Sequence, residues 1–108
     1  MIRLTVMYNL PPGSDEAEFL RWRLGEHQAN NAAAPGVLRT DFAMVESALP
    51  HVAPARHRFM TIAEWPDRET FEAHFYAPEA LARLEEHLKK LDDPVFLVSE
   101  VLTSYEAP

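Results

Sequence analysis

The chain opens with a two-residue alternation of apolar and mostly polar side chains. Ile2, Leu4, Val6 and Tyr8 alternate with Arg3, Thr5 and Met7. A period of two is typical of a β-strand that buries one face. Residues 2–8 are therefore predicted to form the first strand of a sheet.

A helical pattern follows the break at Pro11-Pro12-Gly13. Ser14 or Asp15 can cap this helix because a side-chain oxygen accepts hydrogen bonds from the free amides of the first turn. Residues at steps of three and four then define one face of a 3.6-residue period: Ala17, Leu20, Leu24 and His27. We expect the helix to stop before Pro35-Gly36, with His27 near its C-terminal end.

Two further strands are predicted after this helix. They cover residues 37–45 and 57–65, and Pro66 ends the second of them. The segment between them, residues 47–56, contains two prolines and alternates small and polar side chains. Such a composition is typical of a loop.

A second helical region and a last strand complete the pattern. Asp67 can cap the helix, and Pro78 can restart it at a first helical position, where proline needs no amide partner. Leucines then repeat at steps of three and four: Leu81, Leu84, Leu88 and Leu91. Residues 95–105 begin as a continuous apolar run and predict the last strand.

The order strand, helix, strand, strand, helix, strand is the split βαβ pattern of ferredoxin-like folds. We predict one α+β domain over residues 1–108, with a four-stranded antiparallel sheet, strands one and three in its centre and both helices on one face. Apolar side chains also fall on the uncovered face: Met7, Met60 or Phe59, and alternate members of Val95 to Val98. Because such a patch usually indicates a partner, we predict a homodimer in which two sheets pack face to face.

The composition argues against several classes of function. Lys and Arg number 10 against 17 Asp and Glu, a formal net charge of -7. An acidic surface repels phosphate backbones and anionic lipids, so neither nucleic acid nor a membrane is an expected partner.

Residues 1–4 lack the features of a signal peptide, and we expect a cytoplasmic protein. The chain has no cysteine, which excludes thiolate nucleophiles and thiolate metal sites.

Three stretches of the chain resemble the EthD-like group of the dimeric α/β-barrel superfamily. The opening residues 1–8 resemble its first strand, and His27 matches a recurrent polar position late in its first helix. The third stretch resembles its passage from strand to helix through Ala63-Glu64-Trp65, Asp67, Phe71, Phe75 and Pro78. Where the family often has a second aromatic residue after the strand-three aromatic, this chain has Pro66.

The resemblance implies a dimeric α/β barrel and a choice of functions. Relatives in the superfamily include cofactor-free monooxygenases, lactone isomerases and polyketide-type cyclases, and many members have no established activity. The fold alone therefore does not select a reaction. It does favour a small hydrophobic ligand and chemistry without a cofactor.

His27 is the candidate catalytic residue. Near the C-terminal end of its helix, free carbonyls and the negative end of the dipole would stabilise an imidazolium, so we expect His27 to exchange protons near neutral pH. Trp65 and Tyr105 end strands at the same edge of the sheet, and we expect both to bind substrate in a cleft beside His27. The alternative for Trp65 is a place in the core or at an interface, as for most large aromatic residues. The alternative is that His27 only caps backbone carbonyls.

His74, on the second helix, is the third candidate for substrate binding; the alternative is a partly exposed helix histidine without a role in binding. Together with Asn9 and Trp65 it resembles a trio that a haem-degrading monooxygenase of the superfamily uses. Strand alternation, however, sends Asn9 to the opposite face of the sheet from Tyr8. The trio therefore converges only if a bulge interrupts the strand.

Neither a metal nor a cofactor is expected. The five histidines never recur at a spacing of four on one helix, and glycine-rich phosphate-binding motifs are absent. Two hypotheses remain: a cofactor-free enzyme acting on a small hydrophobic, oxygenated ring compound with His27 as general acid or base, or a non-catalytic binding or accessory protein.

Overall fold

The computed structural model describes all 108 residues. Four strands form one antiparallel sheet: β1 (Ile2–Asn9), β2 (Arg39–Met44), β3 (Phe59–Trp65) and β4 (Asp92–Glu100). Their order across the sheet is β2-β3-β1-β4. The prediction that strands one and three lie in the centre is confirmed, as is the antiparallel α+β architecture.

The helices come in two groups, one after β1 and one after β3. The first group consists of α1 (Glu16–Trp22), a π-helical segment (Arg23–His27) and α2 (Gln28–Ala32). The second consists of α3 (Arg68–Phe75) and α4 (Pro78–Leu88). None of them is long and apolar enough to cross a lipid bilayer.

The helix starts follow the predicted local chemistry. The Asp15 carboxylate accepts a hydrogen bond from the Glu18 amide at 3.1 Å, and that of Asp67 accepts one from the Thr70 amide at 2.8 Å. Pro78 lies in the first turn of α4. The capping predictions are therefore confirmed at both places.

The core lies between the sheet and the helices. Eight buried apolar residues form it: Ile2, Leu4, Val6, Tyr8, Phe59, Ala63, Trp65 and Phe71. Phe19 and Leu20 from α1 and Phe75 from α3 pack against the same cluster, so both helix groups cover one face. The expectation that Phe59 could lie on the uncovered face is wrong, because Phe59 pairs with Tyr8 and shares its buried side.

The opposite face of the sheet has no helix over it. Met7 lies between Met60 on β3 and Val95 on β4, and Thr5 lies between Ile62 and Leu97. At the end of this apolar strip the Arg3 guanidinium donates to the Glu64 carboxylate at 3.2 Å. We call Met7, Met60, Ile62, Val95 and Leu97 the open-face patch.

The last strand begins and ends earlier than predicted. It pairs with β1 from Asp92, with an irregular register between Met7 and Asn9 and a positive φ at Asp93. Pro94 is tolerated because β4 is an edge strand, where a missing amide breaks no ladder. Beyond Glu100 the chain forms no regular structure, so Tyr105 does not lie on the strand.

Candidate functional site

A cavity of about 540 Å³ lies between the sheet and the two helix groups. Its floor is formed by side chains of the sheet: Leu4, Val6, Tyr8, Thr61 and Phe96. Its walls come from the helices and include Phe19, Trp22, Arg23, His27, Leu84 and His87. The space lies over the middle of β1 and is mostly apolar, with a few polar groups that face inward. This is the usual composition of a small-molecule site.

The π-helical segment decides which side chains enter the cavity. The Gln28 amide donates to the Arg23 carbonyl five residues back, so this turn holds one residue more than an α-helical turn. Leu24, predicted on the buried stripe, is 62% exposed, whereas Arg23 is 2% exposed. The predicted stripe is therefore wrong at Leu24, because the wide turn changes the phase of the helix, whereas His27 still faces the cavity.

Arg23 is the only charged residue among the fully buried ones. Its Nη1 donates to Gln28 Oε1 at 2.6 Å, and its Nη2 donates to Thr61 Oγ1 at 3.1 Å. The guanidinium carbon also lies 4.2 Å from the centroid of the Phe42 ring, a cation–π contact. No carboxylate pairs with it. Burial lowers the pKa of Arg23, but a guanidinium stays charged at neutral pH.

The Tyr8 hydroxyl adjoins this cation. Burial raises the pKa of Tyr8, and the neighbouring Arg23 and Thr61 side chains oppose that effect in part. The phenol is therefore neutral near pH 7 and available as a hydrogen-bond donor. Arg23, Tyr8 and Thr61 together form the polar part of the cavity next to the sheet.

His27 lies in an aromatic cluster on the helix side of the cavity. Its ring stacks on Trp22 with centroids 4.4 Å apart, and the His87 ring meets it edge-on at 5.1 Å. Burial, followed by the charges of Arg23 and His87, lowers the pKa of His27 to about 4. Burial also lowers the pKa of His87. His27 is therefore a neutral imidazole at physiological pH.

The expectation of an imidazolium at position 27 is wrong. The helix ends at Ala32, before Pro35 as predicted, but His27 lies more than one turn before that end, so the carbonyls of the last turn lie elsewhere. Without those carbonyls, burial dominates and favours the uncharged ring. In its neutral form His27 can accept a proton, so any role in proton transfer begins with His27 as a base.

Trp65 does not line the cavity. It pairs with Ile2 at the end of the sheet and is 3% exposed, and its Nε1 donates to the Pro35 carbonyl at 3.2 Å. Its ring meets Phe71 of α3 edge-on at 5.1 Å. The expected convergence of Trp65 and His27 in one cleft is therefore wrong, because α3 covers this end of the sheet.

Tyr105 and His74 also lie outside the cavity. Tyr105 is 86% exposed on the C-terminal tail, because β4 ends at Glu100. His74 lies over Trp65, with ring centroids 6.4 Å apart, and borders a second, separate pocket beside Pro35. Burial lowers the pKa of His74. The structure thus brings His74 to Trp65 but brings neither to His27.

Asn9 serves the loop that precedes β3. Its side chain donates to the Arg56 carbonyl at 2.9 Å and accepts from the Arg58 amide at 2.7 Å. Asn9, Trp65 and His74 therefore do not form a common site. As strand alternation indicated, Asn9 leaves the cavity face.

The cavity holds functional groups that the sequence analysis did not single out, above all Arg23, Tyr8 and His87. One signal was present: Phe19, Arg23 and His27 are spaced by four, which places the arginine on the stripe that leads to the candidate histidine. No three or more histidine or acidic side chains come together as metal ligands would.

The sequence matches no protein-family model, and no curated protein matches it either. Its structure is similar to that of an ethyl tert-butyl ether D (EthD) family protein from Bacillus halodurans, with a TM-score of 0.71 and 18% identity. The match covers 94% of this chain and 99% of that one. The fold implied by the EthD-like resemblance is confirmed.

Two further solved structures are similar along nearly the whole chain. A dimeric ferredoxin-like protein of unknown function from Thermobifida fusca has a TM-score of 0.66 and 18% identity, with 93% of this chain and 90% of that one covered. SnoaB, a cofactor-independent oxygenase from Streptomyces nogalater, has a TM-score of 0.68 and 16% identity, with 95% and 94% covered. The chain therefore has a ferredoxin-like fold that occurs with different functions.

Proposed function

We propose that the protein belongs to the EthD-like group and binds a small hydrophobic, oxygenated ring compound, on which it acts as an enzyme without metal or organic cofactor. The observation that carries this proposal is a neutral imidazole, His27, facing a mostly apolar cavity of about 540 Å³. A cavity of this size suits a compound of two or three rings. The similar fold of a cofactor-independent oxygenase supports the same reading.

The chemistry that this geometry supports is proton removal by His27. A free ring nitrogen takes a proton from a C–H or O–H group of the bound ring, and the electron pair of the broken bond stays on the substrate as an oxyanion. Such a step can begin an oxygenation, an isomerisation or a cyclisation. Because a base with a pKa of about 4 is weak, the bound substrate must be acidified by its surroundings.

A second candidate function is a binding or accessory protein that performs no chemistry. One observation favours it: the ring nitrogens of His27 have no hydrogen-bond partner in the protein that would orient them for proton transfer. In enzymes that use histidine as a base, a third group commonly orients the ring. The two candidates share the cavity and differ only in what His27 does there.

The quaternary structure belongs to the same proposal. We propose that the open-face patch packs against the same patch of a second copy. Leu97 in it is half exposed in the single chain, and contiguous apolar surface of this kind usually marks an interface. The similar protein from Thermobifida fusca is dimeric, which supports this arrangement.

Deuterium exchange of a model ketone tests the proposed chemistry without knowledge of the true substrate. 2-Tetralone is a bicyclic ketone whose C1–H bond is acidic, and NMR in D₂O follows its loss. We expect the wild-type protein to accelerate exchange and His27→Ala to lower the acceleration by about 10²- to 10⁴-fold. His51→Asn, a change in an exposed loop, is the control and should leave the rate unchanged.

The outcomes separate the two functions. If 2-tetralone binds but exchanges at the same rate with wild type and His27→Ala, the protein is a binding protein and the catalytic proposal fails. If His27→Ala melts far below the wild type but keeps its rate per folded molecule, His27 is structural. If 2-tetralone does not bind at all, the cavity does not take ketones of this kind and the catalytic part of the proposal fails.

A further inference from the structure

The charge of Arg23 has no counter-ion within the protein. The ion pairs of the structure involve other cations, all closer to the surface: Arg3, Arg39, Arg56, His57, Arg58, Arg68 and Lys89. Arg23 is 2% exposed, and its two hydrogen-bond acceptors, Gln28 and Thr61, are both neutral. A buried cation in such surroundings is costly unless an anion joins it.

The neutral partners of Arg23 hold it in place but leave donors free. A guanidinium carries five N–H donors, and these two side chains take one each. Gln28 is itself oriented, because its Nε2 donates to the Thr40 carbonyl at 3.3 Å and thereby turns its Oε1 toward Arg23. The guanidinium is thus fixed between the helix and the sheet before any ligand arrives.

The cavity surface around Arg23 combines this cation with apolar walls. The Tyr8 hydroxyl lies beside the guanidinium, and Leu4, Val6 and Phe96 form the adjoining floor. One neutral donor, the Tyr8 hydroxyl, and one cationic donor group, the Arg23 guanidinium, therefore converge beside a surface that would cover an aromatic ring. A guanidinium in this setting matches carboxylate geometry particularly well.

We infer that the natural ligand is an organic anion: a ring compound whose anionic oxygen is bound by Arg23 and Tyr8 while its apolar body fills the cavity. This inference rests on the proposed function and specifies its substrate class. The same contact would acidify the ligand, because a positive charge beside an oxygen stabilises the oxyanion that remains when His27 takes a proton.

Long-range attraction cannot be the source of this selectivity. The chain has a net charge of -7, and Asp15 and Glu18 lie at the rim of the cavity. These charges repel an anion at a distance, although salt screens exposed charges beyond about 8 Å at physiological ionic strength. Recognition must therefore come from the short contact inside the cavity. Lys90, at the rim, is the one other lysine or arginine of the cavity that could bind the negative charge of the ligand.

A matched pair of probes tests the inference. 2-Naphthoate and 2-naphthamide have the same rings and nearly the same shape, but only the first is an anion at neutral pH. We expect isothermal titration calorimetry to show that the wild type binds the naphthoate about 10- to 100-fold more tightly, as a charge-assisted contact predicts. The melting temperature of the wild type should also rise more with the naphthoate than with the naphthamide at equal concentration.

Two variants locate the origin of the preference. Arg23→Met keeps most of the side-chain volume and removes the charge, so it should reduce the preference to less than about threefold while still binding the naphthamide. Lys90→Met, at the rim, is the control and should keep most of the preference. If Arg23→Met does not fold, the comparison of probes in the wild type and in Lys90→Met still decides the question.

The failures are distinguishable. Equal binding of both probes by the wild type would overturn the inference and leave the proposed binding function intact, because the cavity would then accept the rings without reading the charge. A preference kept in Arg23→Met, or lost in Lys90→Met, would overturn the inference as well and assign the charge recognition to the rim. If the wild type binds neither probe and does not bind 2-tetralone, the proposed function fails together with the inference.

Discussion

The imidazole of His27 lies against the indole of Trp22, with ring centroids 4.4 Å apart and planes inclined by 29°. The indole excludes water from one face of the imidazole, and His87 approaches its edge. Both neighbours remove solvent from a ring that needs solvent to become charged. The neutral state of His27 is therefore built into the folded protein, and this has consequences for its stability at low pH.

The first prediction concerns stability between pH 6.5 and pH 4. The pKa of His27 is about 4 in the folded protein against 6.5 for an unperturbed histidine, so the unfolded chain binds this proton first as the pH falls. The free energy of unfolding should therefore decrease as the pH falls through this window. Since His27 is only partly buried, we expect its share to be about 1 to 3 kcal/mol.

Urea denaturation at a series of pH values measures this effect. His27→Asn should lose the part of the pH dependence that lies in this window, whereas His51→Asn should retain it. Both variants replace a histidine by a side chain that does not titrate, and His51 has a positive φ that asparagine adopts readily. If the two variants show the same pH dependence, His27 does not titrate as the structure indicates.

The second prediction concerns the pH dependence of proton exchange. A base with a pKa of about 4 is already deprotonated at pH 5, so kcat/KM for exchange of 2-tetralone should be nearly flat from pH 5 to 7 after correction for the uncatalysed rate. It should fall only as the pH approaches 4. A limb centred near 6.5 would show that the base is a more solvated group than His27.

The third prediction concerns the open-face patch. Met7→Asp places a charge among Met60, Val95 and their counterparts on the second copy, and a buried unpaired charge costs about 3 to 5 kcal/mol. We expect light scattering at micromolar concentration to show the Met7→Asp variant as a 12.3 kDa monomer and the wild type as a dimer. Leu49→Asp, on an exposed loop, should leave the dimer intact. A wild type that is monomeric, or a Met7→Asp dimer of unchanged stability, would refute the face assignment.

The fourth prediction compares two glycines. Gly25 lies in the π-helical segment with no atom within 4 Å of an added Cβ, so Gly25→Ala should stabilise the protein by about 0.5 to 1 kcal/mol. Gly36 has a φ of +76°, and a Cβ there would collide with the Thr70 Cγ2 atom. Gly36→Ala should therefore destabilise the protein by about 1 to 3 kcal/mol. Thermal unfolding of both variants under the same conditions checks the opposite signs.

The fifth prediction separates the two aromatic residues that sequence reasoning placed beside His27. Trp65→Ala removes a buried core ring and its hydrogen bond to Pro35, and should cost about 3 to 5 kcal/mol of stability. Tyr105→Ala changes an exposed side chain and should alter stability by less than about 0.5 kcal/mol. Neither should change the preference for 2-naphthoate per folded molecule. If either variant selectively lost binding of 2-naphthoate, the substituted residue would belong to the binding site after all.

The fold could be predicted from the sequence because local signals agreed with one another. The alternation of Ile2 to Tyr8, the caps at Asp15 and Asp67 and the break at Pro66 each act over a few residues, and each gave the structure observed. Some strand ends differed: the central strand β3 begins at Phe59 rather than at residue 57, and both edge strands have other bounds than predicted. At β4 the strand includes Pro94, which an edge position tolerates and a sequence pattern cannot distinguish from a break.

The site was harder to predict because it depends on a change of helical phase. A 3.6-residue period places Leu24 inside, and no local preference of the residues around Gly25 announces a wide turn. Buried Arg23 donates a hydrogen bond to Thr61 on β3, and these two residues lie 38 positions apart in the chain. His27 was found because it lies on the buried stripe under either phase, but its protonation state follows from packing that the sequence does not display.

The wide turn also makes the interior of the protein sensitive to chain length at one place on its surface. Leu24, Gly25 and Glu26 all face solvent, and an α-helix would need one residue fewer between Arg23 and Gln28. Deleting any one of these three residues would rotate the helix after the deletion by about 100° relative to the helix before it. Gln28 would then leave Arg23, and the helix would lose its match to Thr40. A single extra residue in contact with water thus maintains the only buried positive charge of the molecule.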